Sequence, residues 1–112
     1  MKKDTQIYLT HIRESILAIR DYTVDGREAF HGDRKTQDAV IRNLEIIGEA
    51  TKQLPAELIG RHPQIPWKQI TGMRDRLIHH YFGVDLKLVW FVVENRLDEL
   101  ENVVNKEYRL LL

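Results

Sequence analysis

The stretch Trp67-Lys68-Gln69-Ile70-Thr71-Gly72-Met73-Arg74-Asp75-Arg76-Leu77-Ile78-His79-His80-Tyr81-Phe82-Gly83 decides how the chain is read. Trp67, Ile70, Met73, Leu77 and Tyr81 recur at three- and four-residue steps, the period of one buried helix face, and no strand-type alternation runs through them. Pro66 stands where the first helical residue is often proline, and Gly83 supplies the stop. The spacing predicts a helix from about Trp67 to Tyr81 or Phe82. Arg74 to Tyr81 packs two arginines, an aspartate, two histidines and a tyrosine together. Nowhere else in the chain do so many groups able to move protons or hold an anion lie so close.

Working outward, His62-Pro63-Gln64-Ile65-Pro66 reads as a rigid connector, because each proline fixes its own backbone and restricts the residue before it. Pro55 ends the element before that, with room for one short turn at Ala56 to Gly60. A helix is predicted from about Arg34 to Leu54, with Asp33 as its cap and Val40, Leu44, Ile47, Thr51 and Leu54 as its stripe. Ile41, Glu45 and Gly48 form a neighbouring stripe edged by Arg42 and Glu49. Glycine in a helix interior costs about 1 kcal/mol relative to alanine. Gly48 therefore marks either the close approach of another helix, including one from a second copy, or a slightly irregular core helix. Thr23 to Asp33 is expected to be a loop, since Gly26 and Gly32 break any period. The first helix is predicted over Asp4 to Tyr22, capped by Asp4, on the stripe Leu9, Ile12, Ile16 and Ile19. Downstream, Asp85 is expected to cap one long helix carrying Leu86, Val89, Trp90, Val93, Leu97, Leu100 and Val104. Tyr108 to Leu112 reads as an apolar tail packed on the bundle or on a partner chain. The sum is an all-α, up-and-down bundle of four long helices plus a short turn, expected to form one domain over residues 1–112.

The chain has 112 residues, 43% hydrophobic and 30% charged, enough for one modest core. It has no cysteine, which excludes a disulfide frame and thiolate metal sites. Seventeen basic and seventeen acidic residues cancel, which argues against coating long duplexes but leaves room for a local basic cleft. No apolar run approaches the roughly 20 residues needed to cross a bilayer, and Met1-Lys2-Lys3-Asp4 lacks the apolar core of a signal peptide. A soluble cytoplasmic protein is expected.

Around Leu77, at about 100° per residue, Ile70, Met73 and Tyr81 lie within about 40°, and Arg74 about 60° away at the core margin. Asp75 and His79 fall about 160° away, on the opposite face, four residues apart. A carboxylate–imidazole hydrogen bond between them is geometrically natural and would fix the tautomer of His79. Arg74 and His79 do not face each other on an ideal helix. Either the helix loosens near Gly83 or the site is shared between two chains. RNA cleavage by a 2′-hydroxyl needs a proton-transfer group and an anion clamp, which His79 and Arg74 supply. Arg76 and His80 are further candidates for substrate contact. Against this, an isolated histidine is usually a surface residue, and Tyr81 lies on the core stripe. No metal site is expected: His79 and His80 point about 100° apart, and His11, His31 and His62 lack partners in sequence.

The stretch resembles the HepT-like branch of the HEPN superfamily, which carries Arg-x4-His-x-Tyr with a polar residue after the arginine. Arg74, Asp75, His79 and Tyr81 occupy those positions. Ile41 to Ala50 is similar to the family's second-helix signature, and Ile65 to Met73 to its approach to the motif. The resemblance covers residues 4 to 105. It implies a homodimeric HEPN-like bundle with a composite cleft, and a metal-independent endoribonuclease that is the toxin of a toxin–antitoxin pair, without a cofactor. The implied partner is an MNT-type nucleotidyltransferase antitoxin, able to assemble with the dimer and to transfer AMP from ATP to Tyr81. Asp75, where the family often has asparagine, adds a negative charge near the substrate phosphate. Two alternatives stay open: a non-catalytic dimeric module binding RNA or nucleotide, and a plain dimerisation bundle.

Overall fold

The computed structural model describes residues 2–73, 75–76 and 85–112, and every regular element among them is helical. In chain order these are α1 (Lys2–Tyr22), α2 (Gly26–His31), α3 (Arg34–Lys52), α4 (Ala56–Arg61), α5 (Trp67–Thr71), α6 (Leu86–Asn95) and α7 (Leu97–Leu110).

The core forms where the periodic stripes meet. Leu9, Ile12, Ile16 and Ile19 of α1 are fully buried, as their three- and four-residue spacing predicts. They pack most extensively on α3, through Val40, Leu44, Ile47, Ala50 and Thr51, and next on α7, through Leu97, Leu100, Val103 and Val104. The Thr51 hydroxyl is satisfied inside this interface by donating to the Ile47 carbonyl at 2.7 Å. Gly48 is buried with the same helix, while Ile41 packs partly on the core. Arg42 and Glu45 pair along the edge at 3.8 Å. At the far end, Arg20 of α1 donates to Asp98 and Glu101 of α7, fastening the two helices by their polar flanks.

Several local expectations are corrected. The first helix begins at Lys2, so Asp4 lies within its first turn rather than capping it, where a carboxylate still meets the positive end of the helix dipole. The segment from Thr23 to Asp33 is not a plain loop. Gly26 takes φ +90°, which turns the chain sharply, and α2 follows because Phe30 has a core pocket to fill and is only 1% exposed. Asp33 then caps α3 as expected, accepting from the Lys35 amide at 3.1 Å and the Thr36 hydroxyl at 2.8 Å. The Thr36 bond is the main reason its carboxyl sits below the ordinary aspartate range.

Pro66 flanks α5 rather than opening it, and its carbonyl accepts from the Ile70 amide at 3.1 Å. The predicted third helix pauses at Gly72, whose amide donates to the Lys68 carbonyl at 2.9 Å. Met73, Asp75 and Arg76 are helical again, and the Arg76 amide reaches back to the Gly72 carbonyl at 3.1 Å. The continuation to Tyr81 and the stop at Gly83 lie outside the described residues.

Asp85 caps α6 through the amides of Lys87 and Leu88, at 3.0 and 3.2 Å. The single long helix expected after it is two, α6 and α7, parted at Arg96 (φ −114°, ψ −18°). Asn95 bonds back to the Phe91 carbonyl at 3.0 Å just before the break, a local contact that competes with helix continuation. The buried stripe passes through the break undisturbed, from Val89 to Leu97 and Leu100. The apolar tail is also more helical than expected. α7 runs to Leu110; Tyr108 and Leu111 pack on the core while Leu110 and Leu112 face solvent.

Candidate functional site

The stretch from Arg74 to Tyr81 is approached through α4, the connector 62–66 and α5, and a buried ionic cluster fixes that approach. Glu107 lies on the core side of α7 and is 2% exposed. An ionised carboxylate there is costly unless charge and hydrogen bonds compensate it. Arg61, the last residue of α4, donates from Nη2 to one carboxylate oxygen at 2.6 Å and from Nε to the other at 3.2 Å. His62 Nε2 lies 2.6 Å from that second oxygen. The Arg61 hydrogen bonds hold the Glu107 carboxyl below the ordinary glutamate range, against the opposing effect of burial, with His62 adding to the lowering. The His62 carbonyl accepts from the Trp67 indole at 2.8 Å, tying the cluster to the first turn of α5. Ile65, in the connector, is buried.

His62 therefore has the partner that its sequence neighbourhood did not offer. Glu107 is 45 residues away. The signal available in sequence was Glu107 itself: it continues the stripe Leu97, Leu100 and Val104, and a charge on a buried stripe needs a partner. His31 packs edge-on against Phe30 at 5.2 Å, and His11 against Tyr8 at 6.3 Å.

Of the predicted site residues, the structure places Asp75 and Arg76. Both are exposed on a helical turn, while Ile70 and Met73 of the same segment face the core. For Asp75, Ile70 and Met73 this is the split of faces that the helical angles predict. Arg74, His79, His80 and Tyr81 lie outside the described residues, and so does the expected Asp75–His79 pair. Beside this turn lies an apolar cleft of about 100 Å³ whose lining includes Ile70, Met73, Leu88 and Phe91, with Arg76 and Arg96 as its cations. Its composition suits a flat apolar group bearing negative charge. Among the described residues no three His, Asp or Glu side chains come together as a metal centre would require, and no helix is long and apolar enough to cross a membrane.

The sequence profile of the ribonuclease HepT-like family matches residues 12–107. The chain is 44% identical over 108 residues to "Putative RNase MJ0127" of Methanocaldococcus jannaschii, covering 92% of this chain and 89% of that one. It is 45% identical over 107 residues to "Probable ribonuclease HepT" of Thermococcus cleftensis, covering 95% and 97%. A third relative, also from M. jannaschii and named as a gamma-glutamylcyclotransferase and putative RNase, is 50% identical over 107 residues; the match spans 95% of this chain but 48% of that one. No solved structure matches the chain. The family profile spans both the core stripes and the Arg74–Tyr81 stretch, and the chain belongs to the ribonuclease HepT-like family.

Proposed function

We propose that the protein is an endoribonuclease acting without a metal, and the toxin of a HEPN/MNT toxin–antitoxin pair. The observation that carries this is the family match over residues 12–107, within which Arg74, Asp75, His79 and Tyr81 stand in Arg-x4-His-x-Tyr order. In the proposed reaction the 2′-hydroxyl of one nucleotide attacks the adjacent phosphorus. The O2′–P bond forms, the P–O5′ bond breaks, and a 2′,3′-cyclic phosphate remains. His79 moves the proton, taking it from the 2′-hydroxyl or delivering it to the departing 5′-oxygen. Arg74 holds the phosphoryl oxygens and stabilises their growing charge. Asp75 orients His79 from the solvent face of the same segment, and Arg76 and His80 contact substrate.

In this reading residues 1–112 act as one HEPN unit in the cytoplasm. Two copies form a homodimer, so that both motifs line one cleft and a second histidine completes the acid–base pair. An MNT nucleotidyltransferase silences the site by moving AMP from ATP to the Tyr81 hydroxyl, releasing pyrophosphate. The modification places bulk and negative charge beside Arg74, where substrate phosphate belongs.

The test is incubation of the purified protein with a tRNA mixture in chelator, with and without the antitoxin and ATP. Cyclic-phosphate ends should appear with the parent and be absent with His79→Ala and Arg74→Ala. Antitoxin plus ATP should stop cleavage and add one AMP to the Tyr81 peptide. Cleavage by His79→Ala at the parental rate overturns the assignment. RNA bound but left intact by the parent protein points instead to a non-catalytic binding module.

A further inference from the structure

α2 and α6 enclose an open cleft of about 460 Å³ lined by Arg27, His31, Lys87, Trp90, Phe91 and Glu94. Its aromatic floor is held in place from below. The buried Phe30 ring lies 5.3 Å from Trp90 and 5.2 Å from His31, and the Trp90 indole donates to Glu94 at 3.3 Å. Phe91 is 47% exposed, with the Arg96 guanidinium 5.1 Å from its ring centre. Arg27 and Lys87 are exposed, and among the described residues neither is in an ion pair. Arg20, Arg34, Arg42, Arg61 and Lys52 each have a carboxylate partner. Wet aromatic surface and uncompensated cations thus sit together in a chain whose total charge is zero. Glu94, which accepts from the Trp90 indole, is the one acid among the described residues of the lining, so the two cations outnumber it.

Open aromatic rings interleaved with free cations match unpaired nucleotides, whose bases stack and whose phosphates seek positive charge. Phe91 also lines the apolar cleft that includes Met73, Arg76 and Arg96, and Arg76 is two residues from Arg74. One strand laid across Phe91 reaches both clefts. We infer that the α2–α6 cleft is an RNA subsite distinct from the Arg74–Tyr81 motif, taking unpaired nucleotides that flank the scissile phosphate. A base stacks on Phe91, and Arg27 and Lys87 hold the neighbouring phosphate. The inference rests on the ribonuclease reading for the identity of the polymer, and it adds where substrate is gripped.

The probe is a labelled single-stranded oligouridine of about ten nucleotides, a length within the range such surfaces occupy. Binding is followed by fluorescence anisotropy to full-length protein in a His79→Ala background, so that the probe stays intact. Arg27→Gln combined with Lys87→Gln should weaken binding roughly tenfold at low salt and make the salt dependence shallower by about one power of salt concentration. Phe91→Ala should weaken it roughly fivefold or more. Arg27 and Lys87 are exposed, so the double variant's unfolding midpoint should match the parent's, and Phe91→Ala, which removes a half-buried ring, is compared at a temperature where both proteins are folded. If the wild-type chain cleaves RNA and these variants bind the probe as tightly as their background, this inference falls while the ribonuclease reading stands. If the wild-type chain neither binds nor cleaves RNA, both fall together. If the variants keep RNA affinity but change molecular mass by light scattering, the cleft is a protein contact and the inference is overturned.

Discussion

Two parts of this chain carry acid, guanidinium and imidazole, one gathered across the fold and one close in sequence, and their described residues differ mainly in how much water reaches them. In the first, Glu107, Arg61 and His62 close on one another, with the acid and the imidazole buried and contacts of 2.6 Å. In the second, Asp75 and Arg76 stand exposed on a turn beside an apolar cleft, next to Arg74 in sequence and four and three residues before His79. By residue type the two sets are almost the same. The buried set spends its hydrogen bonds on itself: no substrate as large as a nucleotide can enter it, and its charges cancel locally. Asp75 and Arg76 are left available to a ligand. On the reading proposed above, chemistry-bearing residues divide into scaffold and site by burial and by the identity of their partners.

The comparison breaks most readily at the motif. His79→Ala should lower RNA cleavage by roughly 10²- to 10⁴-fold, the ordinary worth of a positioned proton-transfer group, and leave thermal stability near the parent's. Glu107→Ala should do the reverse. Removing the carboxylate takes from His62 its buried partner and leaves Arg61 only the exposed Glu57, at a cost of about 3 kcal/mol. That lowers the midpoint of thermal unfolding by roughly 10 °C or more. At a temperature where the variant is folded, cleavage should persist. An unchanged melting curve for Glu107→Ala, or His79→Ala cleavage at the parental rate, would dissolve the distinction between the two clusters.

The same cluster sets a pH dependence. The folded protein holds the Glu107 carboxyl below its unfolded value, so in that window the unfolded chain binds more protons and stability rises with pH. The contribution is complete above the unfolded value and is lost as pH falls through the folded one. Unfolding midpoints measured from about pH 6 down to about pH 3 should therefore fall more steeply for the parent than for Glu107→Gln. Asp33, lowered by its Thr36 bond, contributes a slope of the same sign that both proteins share. Parallel curves would mean that the cluster holds no ionised carboxylate.

Much of the fold was legible because apolar periodicity is a local property. The stripes of α1 and α3, the capping roles of Asp33 and Asp85, and the core-facing side of Ile70 and Met73 follow from spacing alone. What escaped depends on partners distant in sequence. Phe30 orders α2 because other elements bury it, and nothing in Thr23 to Asp33 announces that. Arg96 parts α6 from α7 although the stripe runs straight through, since periodicity records which side is buried and not whether the axis bends. The Glu107 cluster joins residues 45 and 46 positions apart, so only the misplaced charge on a stripe pointed to it. The Arg74–Tyr81 stretch was legible as a cluster of residue types, and Asp75 stands exposed on the face that the helical angles assign to it.

The smallest expected effect lies between the two regions, at Asp85. Its carboxylate satisfies the Lys87 and Leu88 amides at the start of α6, directly after the motif segment and just before Trp90 and Phe91. Asp85→Ala should cost about 1 kcal/mol, the usual worth of an N-cap. Asp85→Ser keeps an acceptor at the same place and should recover most of that loss. If Asp85 acts only on the helix end, cleavage at a permissive temperature follows the parent for both variants. If instead the first turn of α6 helps to place the motif, Asp85→Ala should lower cleavage more than its loss of folded protein explains, and Asp85→Ser should restore it. Either result locates the boundary between scaffold and site to within a turn of helix, because Asp85 is bonded to one side and adjacent in sequence to the other.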